Sequence, residues 1–111
     1  MSDVQHRDLA GGRWWQLSLG EQLGNIGSEI SRATKWSGRN ETLARGAFER
    51  ALELFDLTLD DPRHRQSPAR LRELARAREV VVDYFDGRNE YQSTAASLQR
   101  YFDAYALAVR P

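Results

Sequence analysis

A chain of 111 residues with 41% hydrophobic and 29% charged side chains can bury one modest core, and its composition is that of an ordinary globular protein. Sixteen basic against sixteen acidic side chains give zero formal net charge, which excludes a general electrostatic pull toward nucleic acid or anionic membrane. The absence of cysteine excludes disulfides and thiolate metal sites. No apolar run is long enough for a signal peptide or a membrane span, so residence in the cytoplasm is the expectation.

Met1 to Arg13, which includes the pair Gly11-Gly12, has no apolar periodicity and reads as a flexible arm ahead of one domain over 14–111. Trp14, Trp15 and Leu17 arrive together before the first helix. Two adjacent tryptophans point in different directions on a helix, so one is expected to close the core and the other to meet solvent or a partner. Ser18 and Glu21 form a capping box, and the spacing predicts a helix from Ser18 to Trp36. Leu19, Leu23, Ile26, Ile30 and Ala33 make its core stripe. One position round, Gly20, Gly24, Gly27, Ser31 and Thr34 make a stripe of small residues. Each mid-helix glycine costs about 1 kcal/mol relative to alanine, so a close approach is expected there. A neighbouring helix, a ligand or a second subunit could supply it. Glu21, Glu29, Arg32 and Lys35 exclude a membrane span for this helix.

Ser37-Gly38 stops the first helix, and Asn40 caps a second. The expected apolar face of the second is Leu43, Ala47, Phe48, Ala51, Leu54, Phe55 and Leu59. Asp60, Asp61 and Pro62 end it, and Pro62 to Gln66 reads as a polar, basic turn containing His64. Ser67-Pro68 opens a third helix. Its expected buried face is Leu71, Leu74, Ala75, Val81, Val82 and Phe85, and Gly87 ends it. Ser93 or Thr94 caps a fourth, with Leu98, Tyr101, Phe102, Tyr105, Ala108 and Val109 inward. Four such helices with short connections predict an all-α fold, an up-down-up-down antiparallel four-helix bundle.

The second and third helices end in acids (Asp56, Asp60, Asp61; Asp83, Asp86), the wrong sign for their own dipoles. In an antiparallel bundle the first group would lie beside Arg63, Arg65, Arg70 and Arg72. The second would lie beside Arg32, Lys35 and Arg39. Arg78 sits on an apolar stripe with no carboxylate three or four residues away. Three readings of it stay open: a stem packed inward with the guanidinium in water, a buried pair with Glu29, or an anion-binding arginine.

Catalytic signatures are missing. His6 and His64 fall in the arm and a turn, so paired Glu-x-x-His motifs of a bundle di-metal site cannot be built. Glu49, Glu53 and Asp56 are spaced like part of an acidic magnesium face, but the companion Glu-x-x-Glu is absent. No metal and no cofactor is expected. The densest group of functional side chains is Arg78, Asp83, Tyr84, Asn89, Glu90 and Tyr91, with Glu29 and Arg32 on the first helix as further ligand or partner candidates. Trp14, Trp15, Gly20, Gly24 and Gly27 are the candidate interface.

The strings Asn25-Ile26-Gly27-Ser28-Glu29-Ile30-Ser31-Arg32-Ala33, Arg50-Ala51-Leu52-Glu53-Leu54-Phe55-Asp56-Leu57-Thr58 and Arg78 to Tyr91 together resemble a family of short uncharacterised prokaryotic all-helical proteins. The resemblance covers about residues 14–108 and implies a fold without an activity. At fold level the chain is also similar to HEPN-class helical bundles. That similarity implies a nucleotide- or RNA-related protein, a nucleotidyltransferase partner or ribonuclease relative. The class's Arg-x(4–6)-His motif has no counterpart at His6 or His64. The leading expectation is a non-catalytic helical interaction module whose partner is a second copy of itself or another protein, with nucleic acid the lesser expectation and no membrane.

Overall fold

The computed structural model describes residues 12–109. Of the arm expected over Met1 to Arg13, all but Gly12 and Arg13 lie outside that span, and these two open a helical turn at 12–14. The described residues are all-helical, with no strand. Helix α1 spans Leu19–Trp36 and begins at the expected capping box. Glu21 N donates to Ser18 Oγ at 3.1 Å, and Ser18 N donates to Glu21 Oε1 at 3.0 Å. Asn40 caps α2, Glu41–Leu59, by accepting from Leu43 N. Asp61 caps a four-residue helix α3, Pro62–Arg65, where a plain turn was expected. Ser67 caps α4, Pro68–Phe85, and Thr94 with Ser97 caps α5, Ala95–Ala108.

The core stripe of α1 is as the spacing predicts. Leu23, Ile26 and Ala33 are fully buried, and Leu19 and Ile30 nearly so. Each large side chain among them contributes roughly 1.5–3 kcal/mol by leaving water. Helix α1 packs against both α2 and α5, while α2 also carries α4. Buried side chains from all four long helices, with Trp14, form one hydrophobic cluster. Phe55 of α2 meets Phe102 of α5 edge-on at 5.7 Å, and Phe48 of α2 meets Phe85 of α4 at 5.1 Å. Helices α4 and α5 are joined by the Tyr101 hydroxyl, which donates to Glu73 Oε1 at 2.6 Å. That bond and burial, burial foremost, push the Tyr101 phenol well above its ordinary range.

The small-residue stripe is covered in part. A methyl placed on Gly20 would stand 3.5 Å from the Ala106 carbonyl oxygen, and one on Gly27 would stand 3.6 Å from Phe102 Cβ. Helix α5 therefore supplies the close approach at both positions. Gly24, between them in sequence, faces open space. Gly24→Ala is accordingly expected to raise unfolding stability by about 0.5–1 kcal/mol in urea titration, through helix propensity alone. Gly27→Leu is expected to lower it, because a branched side chain would lever α5 away.

Three inward faces differ from expectation. In α4 the buried residues are Leu74, Ala77 and Val81, while Ala75 is exposed. The face is rotated toward Ala77, and Arg78 beside it reaches Asp56 of α2. Leu43, in the first turn of α2, is 46% exposed, and Ala108, at the end of α5, is exposed as well. No helix among the described residues is long and apolar enough to cross a membrane.

Candidate functional site

The most concentrated polar chemistry lies where the Trp14 segment, α1, the α2–α3 junction and α4 meet. Asp61 is fully buried, Gln22 is fully buried and His64 is 1% exposed. Asp61 Oδ1 accepts from the Arg63 amide at 3.0 Å and from Arg63 Nε at 3.1 Å. Its Oδ2 accepts from Arg63 Nη2 at 2.6 Å and from Gln22 Nε2 at 3.0 Å. Gln22 Nε2 also donates to the Trp14 carbonyl at 3.0 Å, and its Oε1 lies 2.7 Å from His64 Nε2. Arg70 Nη1 stands 3.4 Å from His64 Nδ1. Arg63 Nη2 reaches on to the Leu17 carbonyl at 2.6 Å.

Burial pushes the Asp61 carboxyl up, but the Arg63 and Gln22 hydrogen bonds and the Arg63 amide outweigh it and hold it at about 2. Burial is also the largest influence on His64. It lowers the imidazole below its ordinary 6.5 with help from Arg70 and Arg63, against the pull of Asp61. Every fully buried side-chain polar atom among the described residues has a partner. The network therefore ties elements together and leaves no buried group reaching for a ligand.

Both tryptophans act at this end. Trp14 Nε1 donates to Thr58 Oγ1 at 2.8 Å, and Trp15 Nε1 donates to the Leu57 carbonyl at 2.7 Å. One of the pair was expected to close the core and the other to meet solvent or a partner. The structure gives both indoles a partner on the last turn of α2, with Trp14 buried and Trp15 half-buried.

The candidates on α1 and α4 are held apart by different partners. Glu29, 8% exposed, accepts from Arg50 Nε at 2.9 Å and from Arg32 Nη1, so it lies between two guanidinium groups. The pairing of Arg78 with Glu29 is thus corrected: Arg78 Nε donates to Asp56 Oδ1 at 3.0 Å, with a third of the arginine side chain in water. Asp86 also finds a different partner from the arginines expected. It receives a two-pronged bond from Arg45 Nη2 and Nη1 at 2.8 and 3.1 Å. At the other acidic end, Asp60 lies 3.8 Å from Arg65, a neighbour across the short turn into α3.

The loop after α4 is built by two of its own candidates. Asp83 accepts from the amides of Glu90 at 2.8 Å and Tyr91 at 3.0 Å. Asn89 has φ +54°, a backbone region asparagine tolerates, and its side chain exchanges two hydrogen bonds with the Ser93 backbone. Gly87 is required by space: a methyl there would stand 2.9 Å from the Asp83 backbone. Tyr84 is half-buried edge-on against Phe85 at 4.9 Å. That leaves the side chains of Glu90 and Tyr91 outward, with the Tyr91 hydroxyl donating to Glu79 Oε2 at 3.1 Å.

Tyr91 borders a shallow open concavity on the outer face of α4, lined also by Ala69, Arg72, Glu73, Ala75, Arg76 and Glu79. No carboxylate of the described residues lies within ion-pair distance of Arg72 or Arg76. Among the described residues no cluster of three or more histidine and carboxylate groups is arranged to hold a metal ion.

Sequence reasoning missed the network. Its one readable signal was Asp61-Pro62, the same cap-then-proline signature that marked Ser67-Pro68. Compared with family models, curated proteins and solved structures, the chain has no significant match in any of the three.

Proposed function

We propose that this protein is a non-catalytic, self-associating cytoplasmic interaction module whose docking face is the outer side of α4. The observation that carries the reading is the line Arg72, Ala75, Glu79 along that side, exposed and bordered by Tyr91. Residues 72 and 79 stand two turns apart on one stripe. When two copies cross antiparallel between Ala75 and Arg76, each Arg72 falls opposite the other copy's Glu79. Ala75 and Ala69 keep the surface low enough for the backbones to approach. The face is thus complementary to itself, the requirement of a two-fold interface. The earlier interface candidates support a partner less well: α5 covers Gly20 and Gly27, and α2 engages Trp14 and Trp15.

We further infer an up-down-up-down antiparallel bundle of the four long helices. It is supported by the pairings Trp14 with Thr58, Glu29 with Arg50, Asp56 with Arg78, Arg45 with Asp86, and Gly27 with Phe102.

Exposed ion pairs contribute at most about 1 kcal/mol each, so the dimer is expected to be weak and salt-sensitive. Sedimentation equilibrium over a micromolar to millimolar range tests it. The native chain is expected to dimerise, Arg72→Glu and Glu79→Arg are each expected to be monomeric, and the double exchange is expected to dimerise again. A native chain that stays monomeric throughout would overturn the reading, as would a double exchange that fails to restore association.

A further inference from the structure

The bonds around His64 leave its ring one neutral form. Gln22 uses both N–H groups of its amide, on the Trp14 carbonyl and on Asp61 Oδ2, so its Oε1 can only accept. The proton of the imidazole therefore sits on Nε2, 2.7 Å from that oxygen. On the other side, Arg70 Nη1 is a donor without an acceptor function, so Nδ1 must present its lone pair. We propose that His64 is a proton-operated latch: a proton arriving on Nδ1 turns that acceptor into a donor facing the Arg70 guanidinium, expels Arg70 and frees the first turn of α4, while Nε2–H keeps its hold on Gln22.

The groups around the ring support a local release. Asp61 and Arg63 face it from its own segment, and Arg70 faces it from α4. Helix α1 contributes the neutral Gln22, the Trp14 segment reaches the network through a carbonyl, and Asp60 at the end of α2 is turned to Arg65. Asp61 remains beside the ring to balance the imidazolium, with His64 Nε2 3.5 Å from its Oδ2, so protonation does not strand a lone buried charge. The first turn of α4 has little else to hold it. Pro68, Ala69, Arg70 and Arg72 are exposed, Leu71 is only half-buried, and the first buried side chain is Leu74. Displacing Arg70 thus removes the polar tie of this turn to the interior without opening the core.

The test uses the full chain with His6→Gln, so that one histidine remains, and follows the ring nitrogens and backbone amides by NMR as the pH falls from neutral to about 5. At neutral pH Nδ1 is expected to resonate as the unprotonated nitrogen. The ring is expected to titrate below 6.5, and the amides of residues 70–73 are expected to move in step with it while those of α1 stay fixed. Adding Arg70→Gln is expected to raise the titration midpoint, and His64→Gln is expected to abolish the movement of residues 70–73. The proposal is overturned by a proton on Nδ1 at neutral pH, by an Arg70→Gln midpoint equal to that of the parent, or by residues 70–73 that ignore the ring. Concerted loss of all α-helical resonances, in place of a local change, would overturn it too. The protonation of Nδ1 and the titration midpoints do not depend on whether α4 also mediates self-association.

Discussion

Asp61→Ala is expected to cost about 2.5–4 kcal/mol of unfolding stability near neutral pH. The substitution removes the cap of α3, worth about 1 kcal/mol. It also takes the charged acceptor away from Gln22 and Arg63, at about 1.5–3 kcal/mol for such hydrogen bonds. Arg63 softens the loss, because its side chain is 47% exposed and can turn to water. Gln22 has no such escape, since it is fully buried. Asp61→Asn keeps the shape and the cap oxygen and is expected to lose about half as much. Urea unfolding at neutral pH gives both numbers, and equal losses for alanine and asparagine would reject the capping part of the argument.

The same carboxylate sets an acid limit. Its folded value of about 2 lies below its ordinary 3.8, so its contribution is complete above 3.8 and fades as the pH falls from there to about 2. His64 acts earlier and with the same sign. Its folded value is depressed below 6.5, so the unfolded chain takes up the proton first and stability begins to fall below that pH. Stability measured against pH is therefore expected to decline in two stages. His64→Gln should erase the upper stage, and Asp61→Asn the lower.

Phe55→Ala is expected to be the other severe lesion, at about 3–5 kcal/mol. Phe55 is fully buried, and its ring meets that of Phe102 at 64° in the edge-on arrangement aromatic pairs favour. It joins α2 to α5, two helices that otherwise meet chiefly through α1. Chains of this size are stable by about 5–15 kcal/mol, so the loss could approach the whole margin. In a double-mutant cycle with Phe102→Leu, the double variant should lose about 0.5–1.5 kcal/mol less than the sum of the single losses, which is the coupling of the two rings. Additive losses would show that the two rings act as independent fillers.

The helices were legible because their ends announce themselves. Ser18 with Glu21, Asn40, Ser67 with Pro68, and Thr94 are local signals that need no knowledge of neighbours. All four operate in the structure. The α1 core stripe was equally clear, since five apolar residues in one period leave a single way to bury them. Orientation was readable only where apolar spacing was unambiguous. In α4, Ala75 and Ala77 are equal in character, and only packing against the other helices turns Ala77 inward. The polar network was hidden for the same reason. Gln22, Asp61, His64 and Arg70 are unremarkable one by one, and only tertiary packing makes them neighbours. Glu29 shows the limit most plainly: a buried pair was foreseeable for it, but its partners, Arg32 and Arg50 in place of Arg78, are fixed only by the packing.

The tryptophans give this molecule a built-in optical readout. Two indoles donate hydrogen bonds into the last turn of α2, while Trp36 sits half-buried at the opposite end of α1, beneath the Lys35 ammonium at 5.5 Å. Emission from the first two tracks wetting of one pole, and emission from the third tracks the other. Single-tryptophan variants could therefore time which pole comes apart first during unfolding, without any attached dye.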